Sequence, residues 1–239
     1  REIMRLPKPW TDDSILQRFR FCNVDRNDDK VTRWIYSCWI TPNQEHDGLA
    51  RALLLARMIN WPDTLGEIGY PLEWDKYEYA HRIRDRINRG EKTWTGAYMI
   101  TAEANGSPKE ISVCQTVDEL DFPLVDDCFG VWEQLQMLPR IGSFMAAQVV
   151  ADLKNTRYLM GAADKDTFCA PGPGSQKGLN AILGRPENDQ WKQKDFEGEV
   201  NKLREQLPLT LDAQNTQNCL CEFAKYLRGS SRSTYNGVK

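Results

Sequence analysis

The stretch LPRIGSFMAAQVVADL, residues 138–153, decides the fold that the sequence predicts. Its first five residues have the form of a hairpin between two helices, with an apolar anchor, a tight turn and a glycine that permits close backbone approach. Residues 143–153 form the predicted second helix, whose first N–H groups lack intrahelical acceptors and lie at the positive end of the helix dipole. Such a helix start suits one DNA phosphate regardless of base sequence. The predicted DNA contacts are Arg140, Gly142 and Ser143.

Three aspartates in or beyond this helix are candidate catalytic residues. Asp164 lies 22 positions after Gly142, and Asp166 follows it. This spacing is similar to that of the catalytic aspartate in DNA-repair glycosylases that contain a helix-hairpin-helix. Asp152 lies in the last turn of an otherwise apolar helix, where a carboxylate opposes the dipole, so we expect a specific partner or task for it. The alternative is an ordinary helix–helix turn with Asp164 and Asp166 as solvated loop acids.

The composition excludes several classes of protein. The 239 residues are 41% hydrophobic, which is enough for a sizeable core in one large domain or two lobes. Without a long apolar run or a charged-then-apolar leader, we expect neither a membrane span nor a secretory signal, and a cytoplasmic location. Seven cysteines without a CxxC pair and only two histidines argue against zinc, iron–sulfur and histidine-triad chemistry. The net charge of −3 argues against a generally basic surface but permits a local basic groove.

A polar turn precedes the first strongly periodic helix. The turn lies in FCNVDRNDDKVTRW, residues 21–34, and the helix is predicted from about Asp29. Its apolar stripe of helical period is Val31, Trp34, Ile35, Cys38 and Trp39. Asn23, Arg26 and Asp29 are spaced three apart ahead of this buried helix. This pattern predicts a pre-arranged polar cluster, and a simple capping network is the alternative.

Further helices follow from hydrophobic period and capping signals. They are predicted over residues 47–60, 75–89, 110–137 with a break at 121–123, 197–206 and 212–228. Arg57 and Asn60 are neighbours on one face of the first of these. Residues 93–102, TWTGAYMITA, fit either a short strand or an extended loop.

Two later motifs carry charge in unusual settings. GPGSQKG, residues 172–178, places three glycines and Lys177 at the start of a predicted helix, which suits backbone contact with an anion but lacks the Walker A spacing. In the last helix, Glu222, Lys225 and Arg228 form a charged row at intervals of three. The alternative for that row is an exposed, salt-bridged helix face.

Four motifs in this order resemble a known family. FCNVDRNDDKVTRW, TGAY, LPRIG…ADL…DKDTF…GPGSQKGL and NCLCEFAKYLR look like the phage-associated α-glutamyl/putrescinyl thymine pyrophosphorylases, or amino acid:DNA transferases. The resemblance covers most of the chain, from about Phe19 to Arg228. It implies a mainly α fold like that of helix-hairpin-helix DNA glycosylases, with two helical lobes around a DNA-binding cleft. Residues 1–228 would form this single domain, with the helix-hairpin-helix at about 132–153 and a basic flexible tail at 229–239.

The resemblance also implies a reaction. Family members replace the pyrophosphate of 5-pyrophosphoryloxymethyluracil, made in DNA by a partner kinase, with an amine such as glycine, glutamate or putrescine. The partners implied are double-stranded DNA with this base, an amine donor and the upstream DNA base kinase, in the host bacterial cytoplasm if the chain is phage-encoded. No cofactor is certain, and a divalent metal accompanying the pyrophosphate stays open.

Residue roles follow from this chemistry. Asp164 or Asp166 is the expected general base for the amine, with Asp152 a third contender. Arg26, Lys177 and the GPGSQKG backbone would contact the leaving group, with Lys225 or Arg228 as reserves. Arg57 would hold a donor carboxylate in bidentate fashion. The expected substrate-binding residues are Asn23, Arg26, Asp29, Arg57, Tyr98, Gly172, Gly174, Lys177, Glu222 and Lys225.

Two other functions fit part of the same evidence. A DNA glycosylase that excises a modified or damaged pyrimidine would share the hairpin and the aspartate, and it would leave abasic sites. A helical DNA-binding module without catalysis would use the hairpin alone and would leave Asp164 and GPGSQKG without a task.

Overall fold

The computed structural model describes residues 11–19, 21–96 and 106–229, and every regular element in these ranges is helical. The prediction of a mainly α fold is therefore confirmed. None of these described helices is long and apolar enough to cross a membrane. The α-helices are α1 Ser14–Arg18, α2 Lys30–Ile35, α3 Leu49–Ile59, α4 Pro62–Ile68, α5 Lys76–Asn88, α6 Lys109–Asp118, α7 Cys128–Gln136, α8 Ser143–Leu153, α9 Pro173–Ile182, α10 Gln193–Glu205 and α11 Ala213–Arg228.

The chain divides into two compact units. Unit 2 is the continuous stretch Asn27–Phe168, and unit 1 combines Arg1–Arg26 with Cys169–Lys239. Unit 2 contains α2 to α8, whereas unit 1 contains α1 and α9 to α11. The resemblance to a glycosylase-like domain of two lobes around a cleft stays a prediction.

Helix α3 is the centre of unit 2. Every residue of α3 except Arg51 is buried, and the helix packs against α6 and α8. The sequence LARALLLARMI explains this position, because it is apolar on nearly all sides and its alanines let neighbouring helices approach. The helix ends at Asn60, which takes a left-handed conformation with φ 48°.

Unit 1 is built on the close packing of α9 against α11. Its buried core contains Cys169, Leu179, Phe196, Val200, Ala213 and Leu220. A Cβ on Gly178 would lie 2.1 Å from the Leu220 carbonyl oxygen, and one on Gly174 would lie 2.4 Å from Cys221 Sγ. Both glycines therefore allow the two helices to approach more closely than any side chain would permit.

The structure agrees with most predicted helix positions and corrects several details. The helix predicted over residues 143–153 has these bounds as α8, and α5 and α11 agree within one residue of each end. Helix α10 begins at Gln193, four residues before the predicted start, and α4 was not predicted as a separate helix. The short helix α1 is capped by Asp13, whose carboxylate accepts from the N–H groups of Ile15 and Leu16.

A π-helical turn, Tyr36–Ile40, alters the apolar stripe predicted after α2. The wider turn buries Trp39 and Ile40 and leaves Cys38, which the helical period would bury, exposed. Of the predicted extended element at 93–102, residues 93–96 are described and contain no strand, while residues 97–102, including Tyr98, lie outside the described residues. Residues 230–239 of the predicted tail also lie outside them.

Candidate functional site

The hairpin of unit 2 joins α7 to α8, and one residue of its turn has a positive φ. Leu138 and Ile141 are buried and anchor the turn. Arg140, not the glycine, takes the left-handed conformation, with φ 67°. Gly142 is the N-cap of α8 with extended backbone, φ −90° and ψ 174°.

The Arg140 side chain turns back onto the protein. Its Nε donates to Thr116 Oγ1 at 3.0 Å and its Nη2 donates to the Ser112 carbonyl at 2.9 Å. These bonds to α6 support the strained backbone at this position. Arg140 as a DNA contact stays a prediction, and it would require the guanidinium to bind phosphate while it holds α6.

Gly142 and Ser143 lie at the start of α8, and their contact with DNA stays a prediction. Gly142 is exposed, and a Cβ built there would meet no protein atom within 4 Å. The packing of the chain therefore supplies no reason for a glycine at this position. Trp132 Nε1 donates to the Ser143 carbonyl at 3.0 Å, which fixes the first turn of α8 against α7.

Asp164 lies at the N-terminus of α7. Its Oδ1 accepts from the Cys128 N–H at 2.8 Å, and its Oδ2 accepts from the Phe129 N–H at 2.9 Å. The α7 dipole favours a carboxylate here, so Asp164 stabilises the start of α7. This structural role is separate from any catalytic role. Asp166, two residues later, is exposed. Both stay candidates for the general base.

Asp152 and Arg57 form a bidentate ion pair in the interior of unit 2. Arg57 Nε and Nη2 each lie 2.5 Å from a carboxylate oxygen of Asp152, and both side chains are 1% exposed. Arg57 also donates to Asn60 Oδ1 at 3.1 Å and to Thr32 Oγ1 at 3.0 Å. The partner expected for Asp152 is therefore Arg57. The predicted role of Arg57 with a donor carboxylate would require this pair to open.

A second buried cation, Lys154, was missed by sequence reasoning. Lys154 is 5% exposed and lies near Cys128 and Asp164. Burial raises the pKa of the Cys128 thiol to about 12, while the Lys154 charge opposes this rise. A lysine at a helix C-terminus is favourable for the dipole alone, so its position in the sequence does not indicate that Lys154 is buried.

In unit 1, α11 holds the segment that precedes α2. Glu222 Oε2 accepts from the Cys22 N–H at 3.2 Å, and Asn215 Oδ1 accepts from the Arg26 N–H at 2.9 Å. Asn218 Nδ2 donates to the Asn23 carbonyl at 3.4 Å. The structure thus brings the predicted Asn23 and Arg26 to the same helix as Glu222 and Lys225.

Asp29, the third residue of the predicted polar cluster, caps a helix. It lies in unit 2, where its carboxylate caps α2 by accepting from the Thr32 N–H at 2.8 Å. The simpler alternative of a capping role therefore holds for this residue.

The charged row of α11 is partly buried rather than a solvated face. Glu222 is 8% exposed and pairs with Lys225 at 2.5 Å. Burial alone would lower the pKa of Lys225, but the hydrogen bond and charge of Glu222 outweigh it and raise this pKa. Burial and the Glu222 charge raise the pKa of the Cys22 thiol to about 11, against the effect of Lys225.

Lys177 lies in the first turns of α9 and pairs with Glu187 at 2.7 Å. Their side chains are 36% and 61% exposed, and Lys177 together with Arg228 lowers the pKa of Glu187. Gly172 is the N-cap of α9, and its N–H donates to Ser175 Oγ at 3.0 Å. Gly174 faces α11 as described above. The predicted anion contacts of this loop stay predictions.

The described residues contain no group of three or more His, Cys, Asp and Glu side chains placed to hold a metal ion. A divalent metal that arrives with pyrophosphate stays an expectation.

Comparison with known proteins identifies the family. The chain matches the family model described as 5-hmdU DNA kinase, helical domain, over residues 1–236, and it belongs to this family. A relative described as 5-hmdU DNA kinase, from Bacillus phage SP10, is 28% identical over 216 residues, which covers 77% of this chain and 33% of the relative. The chain thus spans about a third of the length of this curated relative. No solved structure matches the chain. Neither description names the transferase family that the motifs resemble, so that assignment stays a prediction.

Proposed function

We propose that this chain is a DNA-modifying domain that acts in thymine hypermodification on bases derived from 5-hmdU. Its reaction, in this proposal, replaces the pyrophosphate of 5-pyrophosphoryloxymethyluracil in DNA with an amine. The observation that carries the proposal is that the chain belongs to the family described as 5-hmdU DNA kinase, helical domain, and also contains four motifs that resemble those of the transferases. The family description names 5-hmdU, and the transferases that the motifs resemble act on the pyrophosphorylated form of the same base.

The proposed step balances as a substitution at the base methylene. The amine nitrogen forms a bond to this carbon, the bond from carbon to the pyrophosphate oxygen breaks, and pyrophosphate leaves with the electron pair. The proton of the attacking amine passes to a carboxylate, for which Asp164 or Asp166 is the candidate. Cations must hold the negative charge that develops on the leaving group.

Lys177 is the best placed of the predicted cations in unit 1. Its carboxylate partner, Glu187, is more than half exposed, so an incoming phosphate group can replace Glu187 at small cost. Lys225 is held by the buried Glu222 and is less easily released. Arg57 is committed to Asp152 in unit 2, which makes it the least suitable of the proposed ligand contacts.

A second candidate function is suggested by the name of the relative. The domain would then hold DNA for phosphorylation of 5-hmdU and would perform no substitution itself. Most of the relative lies outside the aligned region, and this chain contains no G-x-x-x-x-G-K-[ST] motif for nucleotide phosphates. These two facts favour placing a kinase reaction outside this domain, which leaves DNA holding or amine transfer within it.

Mass spectrometry of digested nucleosides separates these functions. DNA with 5-pyrophosphoryloxymethyluracil is incubated with the protein and a mixture of glycine, glutamate, serine and putrescine, and DNA with 5-hmdU is incubated with the protein, ATP and Mg²⁺. We expect an aminated thymidine and free pyrophosphate in the first reaction. A phosphorylated base in the second would favour the kinase, abasic sites would identify a glycosylase, and unchanged DNA that is tightly bound would indicate a DNA-holding domain.

The Asp164→Asn variant tests the candidate base. The amide keeps one acceptor oxygen for the α7 cap but turns its NH2 toward the second N–H, so the loss of stability should be about 1–3 kcal/mol. Proton removal should fail, and the turnover of the folded variant should fall by about 10²-fold or more with DNA binding retained. Asp166→Asn is the matched control. Loss only in Asp166→Asn would move the base to that residue, and full activity in both variants would contradict carboxylate catalysis at either position.

A further inference from the structure

Unit 1 contains a basic groove that lies apart from the residues discussed so far. Its volume is about 560 Å³. The groove is lined by Arg185, Gln190, Trp191, Lys192, Lys194 and Lys202, together with two carboxylates and a glycine of α10. Four of these side chains are cations and two are carboxylates, in a chain whose net charge is −3. The groove is therefore a local positive region on an acidic protein.

One wall of the groove is fixed by hydrogen bonds to α9. Trp191 Nε1 donates to Asn180 Oδ1 at 2.7 Å, and the Trp191 N–H donates to Gln176 Oε1 at 2.9 Å. Asn180, which is fully buried, donates through Nδ2 to the carbonyls of Glu187 and Asp189. The loop between α9 and α10 is thus held to α9 through the backbone N–H and the indole ring of Trp191.

Arg185 is placed for anion contact by this wall. Its guanidinium carbon lies 3.8 Å from the centroid of the Trp191 ring, and Nη2 lies 3.5 Å from the Asp189 carboxylate. Because the guanidinium lies over the indole ring, its N–H groups point outward in the guanidinium plane and not toward the ring. An oriented guanidinium of this kind suits bidentate contact with a phosphate.

The other wall is the start of α10, a helix of 13 residues. Its N-cap is Lys192, which makes no side-chain capping bond, and Lys194 lies in the first turn. Both lysines are exposed and, within the part of the chain that the structure describes, neither pairs with a carboxylate. Lys202 lies further along α10 and is paired with Glu199 at 2.7 Å. Two cations of the groove therefore lack a protein counterion at the end of a helix that favours anions.

We infer that this basic groove binds the phosphodiester backbone of DNA. The inference rests on the proposed function, because it assigns the DNA partner of that function a second contact surface in unit 1. The exposed lysines and the stacked arginine of the groove fit a repeated anion, and contacts of these cations with phosphates carry no base information. The groove therefore adds affinity and orientation without base preference.

Fluorescence anisotropy on ordinary DNA tests this inference. A labelled duplex of about two helical turns, without modified bases, is titrated with the wild type and with Lys192→Gln/Lys194→Gln over a range of salt concentrations. Loss of two phosphate contacts should weaken binding at low salt and reduce the log–log salt slope by about two. The matched control is Lys30→Gln/Arg33→Gln, which removes two exposed cations from unit 2 and should keep the wild-type slope.

Three results would overturn the inference. These are an unchanged slope in the groove variant, an equal change in the control, and loss of inorganic pyrophosphate binding in the groove variant without a change in DNA affinity, which would assign the groove to a small anion. Since the assay uses unmodified DNA and no amine donor, it is independent of whether the amination reaction occurs. Failure of the proposed function would appear in the nucleoside analysis alone.

Discussion

Two ion pairs of similar length, Arg57–Asp152 in unit 2 and Lys177–Glu187 in unit 1, differ in how much water reaches them. The first has contacts of 2.5 Å with both side chains 1% exposed, and the second has a contact of 2.7 Å with side chains 36% and 61% exposed. Removal of one partner from a buried pair leaves a charge without water or counterion, whereas an exposed pair exchanges its partner for solvent or another ion. Short distance alone therefore says little about whether a charged residue is structural or available to a ligand.

The largest effect expected from this comparison is on folding. Arg57→Met should lower the free energy of unfolding by about 3–5 kcal/mol, because Asp152 would be left charged in the interior of unit 2. Urea denaturation followed by circular dichroism measures this loss. Arg51→Met on the same helix is the matched control, since its partner Asp121 is 90% exposed at 3.4 Å and the loss should be within about 1 kcal/mol. Equal losses of unfolding free energy in the two variants would contradict the proposed difference between buried and exposed ion pairs.

In unit 1, Gly178 of the GPGSQKG segment can be compared with Gly198 of α10 to separate a packing role from contact with an anion. Gly178→Ala should cost about 1–3 kcal/mol, because its Cβ would lie 2.1 Å from the Leu220 carbonyl oxygen. Gly198→Ala in α10, where a Cβ meets no atom within 4 Å, should instead stabilise by about 0.5–1 kcal/mol. Thermal unfolding measures both. A Gly178→Ala variant with normal stability and lost turnover would contradict the packing role and favour backbone contact with an anion.

Lys177→Ala should affect stability by less than about 1 kcal/mol and affect turnover strongly. If Lys177 contacts the leaving group, turnover falls while the salt slope of DNA binding is unchanged. A slope lower by about one would instead assign Lys177 to the DNA backbone. Lys76→Ala is the control, because Lys76 forms a pair of the same length with Asp118 in unit 2 and should leave turnover intact.

The smallest effect concerns the reactivity of Cys22. Its pKa is raised to about 11, so the rate of alkylation by iodoacetamide should rise about tenfold between pH 9 and pH 10, whereas an ordinary thiol is already largely ionised at pH 9. Glu222→Gln removes a repelling charge and should lower this pKa, whereas Lys225→Gln removes an attracting charge and should raise it. Peptide mass spectrometry at Cys22 measures the rates. Shifts in the opposite directions would contradict the charge arrangement around α11.

The sequence predicted best those features that depend on neighbouring residues. Asp29, Asp75 and Asp212 each cap a helix that starts at the next residue. Such helix starts can be predicted because the capping residue and the helix it caps are adjacent in the sequence. The π-helical turn after α2 was not predicted, because a single wide turn leaves the hydrophobic period on either side nearly unchanged. The seven residues of α4 were likewise too few for a periodic signal.

Prediction of the candidate site was limited by contacts between distant residues. The need of Asp152 for a partner could be predicted from its place in an apolar helix, but Arg57 lies 95 residues away. Arg57 was predicted to hold the carboxylate of an amine donor in bidentate fashion; in this structure it holds the carboxylate of Asp152, and the donor role stays a prediction. Gly174 and Gly178 were predicted to let backbone N–H groups approach an anion, whereas the structure shows that both glycines allow the approach of α11; the anion contact stays a prediction.

The order of assembly during synthesis follows from the connection between α11 and the segment before α2. The Tyr226 hydroxyl donates to Asp13 at 2.6 Å, and Glu222 holds the backbone of Cys22, so unit 1 uses residues about 200 positions apart. Unit 2, by contrast, is continuous and ends at Phe168. At about 5–20 residues per second, a ribosome needs several seconds to pass from Phe168 to Tyr226. Throughout that interval unit 2 can fold while residues 11–26 wait for the helix that completes unit 1.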